Sequence, residues 1–150
     1  MQWKKDEMDE LSIKRFIENT FQGVTALEDH GNYFFIYDTE NRAPFATILT
    51  SSKYDTYSDL DRPGIFRLNI GVSRETYRSR FPTDNLPADS GLDFAVSDQI
   101  LPHPEYGRVY WVCVINPSEE TFEEVRPLLS EAYQIAVRKF DAFQKARSQR

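Results

Sequence analysis

His103 stands between Pro102 and Pro104, with Glu105 and Tyr106 just beyond. An imidazole held on a stiff segment near a carboxylate can act as an acid or a base at neutral pH. With Asp59, Asp61 or Glu105 as its partner, His103 is a candidate for cofactor-free catalysis; packing within a loop is its ordinary alternative. His30 falls between two strand candidates and reads as a turn residue. Asp55, Asp59 and Asp61 can in principle hold a hard cation through oxygen ligands. Their spacing matches no calcium loop, and aspartates ahead of Pro63-Gly64 are ordinary turn formers, so no metal is expected. Cys113 lies among Trp111, Val112 and Val114, where a thiol behaves as a small hydrophobe. There is no nucleophile triad spacing, no phosphate-cradling glycine loop and no pair of zinc ligands. No catalytic residue and no cofactor is therefore assigned, and whether the chain is an enzyme stays open.

Arginines form a second constellation. Arg74 and Arg78 are four apart and share a helical face, with Arg80 and Arg67 close in sequence. Together with Arg62 they offer phosphate contacts of the kind that position a protein on nucleic acid. A solvated face paired with the surplus acids is the competing reading.

The elements that must carry these groups are legible around residues 59–72. A charged turn, Asp59 to Gly64, leads into an alternating strand over Ile65 to Val72. Phe66, Leu68, Ile70 and Val72 share one face, since successive side chains point to opposite sides, while Arg67 and Asn69 share the other. Before it, helical spacing of Leu11, Ile13, Phe16, Ile17 and Phe21 predicts a helix over Asp6 to Phe21, stopped by Gln22-Gly23. Strands are expected at Val24–Asp29, Tyr33–Asp38 and Phe45–Thr50, the first two joined by a tight turn at His30-Gly31-Asn32. Ser51 to Gly64 reads as a long polar loop. After the strand, Ser73 caps a short helix to Phe81, with Glu75 in its first turn. Pro82 to Gly91 reads as a surface loop, and Asp93 to Leu101 as either a helical turn or an edge strand. Arg108 to Ile115, apolar on both faces, predicts a central strand. Ser118 opens a further helix, Pro127 is expected to end it and start another, and the last helix runs to about Ala146.

Hairpin-spaced strands followed by helices predict one two-layer α+β domain over residues 1–150, with an antiparallel sheet, an N-terminal helix and a C-terminal helix pair packed mainly on one face. A hydrophobic share of 40% is ample for a core without disulfides or metals. The apolar runs are far shorter than a membrane span, and Met1 to Asp6 lack a signal-peptide core. With one cysteine and no bridge to make, the expectation is a soluble cytoplasmic protein. The net charge of −6 weighs against nucleic acid and anionic lipid as partners. The basic end, five cations against one acid from Arg138 to Arg150, suits the dipole of a terminal helix.

Phe45-Ala46-Thr47-Ile48-Leu49-Thr50, Ser58 through Ser73, Leu101 to Gly107 and Trp111 to Ser118 together resemble a bacterial family of uncharacterised proteins, domain-of-unknown-function family 6194. More loosely, the element order is similar to the MmcQ/YjbR-like proteins, with Leu128 to Tyr133 placed at that family's final helix and Ala132 where a serine tends to stand. The looser resemblance implies a compact domain of helix, small antiparallel sheet and C-terminal helix pair, and brings a nucleic-acid-binding role suggested on grounds of shape. The closer family implies no activity and transfers no functional residue.

The preferred expectation is a small binding or interaction domain whose site lies on the Arg67 and Asn69 face, rimmed by Asp59, Asp61, Arg62, His103 and Tyr106. A small ligand or a protein is its expected partner. A nucleic-acid module using Arg74, Arg78 and Arg80, and an enzyme using His103, are the alternatives. The preferred site carries a condition: replacing Arg67 and Asn69 should leave stability nearly intact, because that face is expected to be open.

Overall fold

The computed structural model describes residues 8–38, 43–82 and 91–149. Helix α1 spans Glu10–Thr20, and its start is set by Asp9, whose carboxylate accepts the Ser12 N–H at 2.7 Å. Ile13 and Ile17 turn inward, and Gly23, at φ 80°, takes the chain out of the helix into the sheet. Strands β1 (Val24–Asp29) and β2 (Asn32–Tyr37) form a hairpin closed by His30 and Gly31, both at positive φ. Two such residues make the turn whose twist matches a right-twisted ribbon. Strands β3 (Ala46–Leu49), β4 (Arg67–Gly71), β5 (Leu101–Pro102) and β6 (Trp111–Ile115) complete a six-stranded antiparallel sheet in the order β1-β2-β3-β4-β6-β5. The ambiguous stretch ending at Leu101 thus finishes as a short edge strand.

All the helices cover one face. Phe35, Ala46, Ile48, Leu68, Ile70, Val112 and Val114 from the sheet pack against Ile13 and Ile17 of α1. From helix α3 (Glu119–Ser148) come Phe122, Val125, Leu129 and Ala132. Helix α2 (Arg74–Arg80), capped by Ser73 as its sequence predicts, lies in the same layer, where Glu131 of α3 accepts the Ser73 N–H and the Thr76 hydroxyl. The α+β class and the single covered face agree with expectation.

Two elements differ from it. The expected C-terminal helix pair is one continuous helix, with Pro127 inside α3. Proline removes one N–H and crowds the carbonyl four residues back. Pro127 is on the solvent side, while Val125, Leu128 and Leu129 on the inner side stay packed and hold the helix through. The strand expected from Arg108 starts only at Trp111, because Tyr106–Val109 forms a 3-10 turn that Tyr110 leaves at φ 73°. The expected helix start at Asp6 and most of the loop from Pro82 to Gly91 lie outside the described residues.

Candidate functional site

The second face of the sheet is built by the other half of the alternation. Register places Thr47 beside Asn69, Leu49 beside Arg67, Phe34 beside Thr47, Cys113 beside Asn69 and Trp111 beside Gly71. Among the described residues no helix lies over this face, although Lys139 of α3 reaches the rim of its cleft. The loop between β3 and β4 does so in part, laying Ser58 and Leu60, both fully buried, against it. Beneath that loop Arg67 is wholly buried. Its Nη1 donates to Asp55 Oδ1 at 3.0 Å and to Ser58 Oγ at 2.8 Å, and its Nη2 to Asp55 Oδ2 at 2.5 Å. Its Nε donates to Asn69 Oδ1 at 2.9 Å, and Asn69 Nδ2 donates in turn to Thr47 Oγ1 at 2.9 Å. A two-pronged guanidinium–carboxylate pair matches planar fork to planar fork. Burial alone would raise the Asp55 carboxyl; the hydrogen bonds and charge of Arg67, with the Tyr57 N–H, outweigh it and hold Asp55 below its ordinary value.

This corrects the expectation of an open Arg67 and Asn69 surface. Both side chains are on the predicted face and both are buried there, Arg67 as a structural hub rather than a ligand-facing cation.

His103 closes the network from the opposite side. Its Nδ1 accepts the backbone N–H groups of Glu105 and Tyr106 at 3.1 and 3.0 Å, which ties it to the start of the 3-10 turn. Its Nε2 lies 3.3 Å from Arg67 Nη2. Burial first and the Arg67 charge second push its pKa down to about 3, with Asp55 opposing. His103 is therefore a neutral imidazole across the physiological range. No carboxylate of the described residues hydrogen-bonds it, so the acid–base pairing expected with Asp59, Asp61 or Glu105 is not formed.

Above the network is a cleft of about 510 Å³. Thr47, Asn69, Asp55 and His103 line it, along with the aromatic side chains Phe34, Tyr54, Tyr106 and Trp111. Tyr54 packs edge-on against Phe34 with ring centroids 5.2 Å apart, and its hydroxyl donates to Asp29. Trp111 lies against Gly71 so closely that a Cβ there would sit 2.8 Å from the indole. Glu105 and Lys139 also line the cleft and carry its exposed charges.

Of the residues expected at the site, Asn69, His103 and Tyr106 meet in this cleft. Asp59, Asp61 and Arg62 do not. Asp61 accepts the Ser52 N–H at 2.9 Å, and Arg62 bonds the carbonyls of Asp59, Ser58 and Ala95, so these three hold the loop together. Arg74, Arg78 and Arg80 are exposed on α2, in the helical layer on the other side of the sheet, and Arg80 pairs with Glu124 at 3.4 Å. Cys113 is buried, and burial pushes its thiol up to about 12, which leaves it unreactive. Sequence reasoning missed Thr47, Phe34, Trp111 and Lys139. The first two belong to the half of the alternation on β2 and β3 opposite the core, a signal present in the pattern of Tyr33-Phe34-Phe35 and Ala46-Thr47-Ile48.

The model of the family of unknown function DUF6194 matches residues 8–146, a span that includes every residue of the cleft. No curated protein and no solved structure matches the chain. With nearly its whole length matched, the chain belongs to the DUF6194 family.

Proposed function

We propose that this chain is a small-molecule binding domain whose site is the cleft on the helix-free face of the sheet. The observation that carries the reading is the cleft itself: about 510 Å³, walled by four aromatic side chains over a polar floor tied to the core. Pockets for small ligands have this size and this mix of apolar wall and few fixed polar groups. A floor built on strands and locked by the Arg67 network is also preorganised, which lowers the ordering cost of binding. The order of helix, antiparallel sheet and C-terminal helical layer supports a distant kinship with the MmcQ/YjbR-like proteins. The single buried thiol is in keeping with a reducing, cytoplasmic setting.

The other two readings have less support. A neutral His103 facing an arginine is poorly suited to proton transfer. The α2 arginines are interspersed with Glu75 and adjoin Glu124 and Glu131, which dilutes any phosphate-binding field. The test is a fragment screen read by amide NMR on the intact chain. Hits should move the resonances of Thr47, Asn69, Trp111 and Tyr106 together, and Trp111→Ala should weaken them at least tenfold. Hits that cluster elsewhere and ignore Trp111→Ala would refute the assignment of the site.

A further inference from the structure

The polar floor of the cleft has a consistent sign: it offers hydrogens for which the described residues supply no acceptor. His103 Nδ1 receives two backbone N–H groups, so it carries no proton, and a neutral ring must then carry its hydrogen on Nε2. That N–H faces the Nη2 of Arg67 at 3.3 Å, which is itself a donor, so the contact joins two donors and satisfies neither. Thr47 Oγ1 accepts from Asn69, and its own hydroxyl proton has no acceptor among the described residues. Asn69 Nδ2 has two hydrogens and one partner among the described residues, Thr47. These three side chains are 2%, 8% and 2% exposed for His103, Thr47 and Asn69, and all three line the cleft. Buried donors without acceptors are costly to leave unmatched. Both oxygens of Asp55 already accept from Arg67, and Oδ1 accepts also from the Tyr57 N–H.

Resting on the reading of this cleft as a small-molecule site, we propose that its ligand is a planar aromatic molecule bearing an oxygen acceptor, a carbonyl or a carboxylate, held by the Thr47 hydroxyl and the Asn69 amide. Phe34, Tyr54, Tyr106 and Trp111 supply ring faces and edges for the flat body of the ligand. Charge limits its head. Asp55 is matched by Arg67, and the charge of Lys139 is balanced by the opposite charge of Glu105, so the site suits a neutral or singly charged group and not a phosphate.

The experiment holds the ring constant and varies the oxygen. Isotope-labelled protein is titrated with indole, oxindole and indole-3-carboxylate, using the wild type, Thr47→Val and Thr47→Ser. The expected result is affinity for oxindole, for the carboxylate, or for both, about tenfold above that for indole. Thr47→Val should remove most of that difference, and Thr47→Ser should keep it. Binding should also move the Asn69 side-chain amide resonances, a readout independent of any variant. Preference for the carboxylate over oxindole identifies an anionic ligand, and the reverse a neutral one. Equal affinity for all three, with shifts confined to the cleft, would overturn the donor argument and leave the cleft reading standing. Absence of binding by any of the three would overturn the ligand class, while the broader screen separately decides the cleft.

Discussion

Replacing Arg67 with methionine tests whether the polar face of β4 is core. Methionine keeps most of the length and removes the charge, so packing is disturbed less than by alanine. The change strips partners from Asp55, Ser58 and Asn69 together, since Arg67 donates to all three. The pair is 0% and 10% exposed at Arg67 and Asp55, so solvent cannot take over the lost bonds. Breaking a buried pair from one side costs about 3–5 kcal/mol, a large part of the roughly 5–15 kcal/mol that holds a domain folded. Urea unfolding at pH 7 should show that loss, and Asp55→Asn should show a comparable one. The double variant should cost clearly less than the sum of the two, because the second change removes a charge already orphaned by the first. Acid provides an internal control. With Arg67 present, Asp55 is held below its ordinary value, so its contribution is in place above about pH 4 and fades as the pH falls through the folded value. Without Arg67, burial outweighs the Tyr57 N–H that remains, the carboxyl is raised, and protonation relieves the variant. The gap between wild type and Arg67→Met should therefore narrow between pH 7 and pH 4. A loss below about 1 kcal/mol at pH 7, or a gap that widens in acid, would refute the buried-hub account and restore an open face.

His103 predicts a second acid effect with its own window. Its pKa is about 3 in the folded chain against an ordinary 6.5, so between those values the unfolded chain binds a proton that the folded one refuses. Stability should fall as the pH drops below about 6.5, by up to about 1.4 kcal/mol per unit and so about 2 kcal/mol at pH 5. Denaturation at pH 7 and pH 5 measures this, and a His103→Asn variant with an unchanged slope would assign the effect elsewhere. Gly71→Ala should push the Trp111 indole out of place, since the added Cβ would meet it at 2.8 Å; a loss of about 1–3 kcal/mol together with weakened fragment binding is expected, and a variant neutral in both would show that the indole is not a fixed wall. Pro127→Ala restores the missing N–H at an exposed position of α3 and should raise stability by about 1–3 kcal/mol, with a lowered unfolding midpoint arguing that the proline ring itself packs.

What could be read from residues alone follows from the range of each signal. The period-two alternation of Phe66, Leu68, Ile70 and Val72 predicts the core face of β4 correctly, because every strand that packs against a helical layer needs it. The same alternation places Arg67 and Asn69 together without revealing whether anything lies over them. Their cover is a loop whose buried groups are Ser58, Leu60 and most of the Asp55 side chain, and such a polar lid has no periodic signature. The bond that closes it, Asp55 to Arg67, joins residues twelve apart through an irregular segment that local rules cannot place. Pro127 shows the converse: the local rule predicts a break, and inward packing of Val125, Leu128 and Leu129 overrides it. Trp111 against Gly71 becomes visible only once β4 and β6 are paired in register. The functional reading depends on the same long-range closure. A buried arginine draws Asp55, Asn69 and Ser58 to itself and takes up their acceptor oxygens. The donors on Asn69 and Thr47 are left beside a space that the described residues do not fill. Had the Arg67 position carried an apolar residue, the Asn69 and Asp55 oxygens would be free to accept those hydrogens, and the cleft would have no chemical preference. The ligand preference of the site is thus a consequence of how the core beneath it is satisfied.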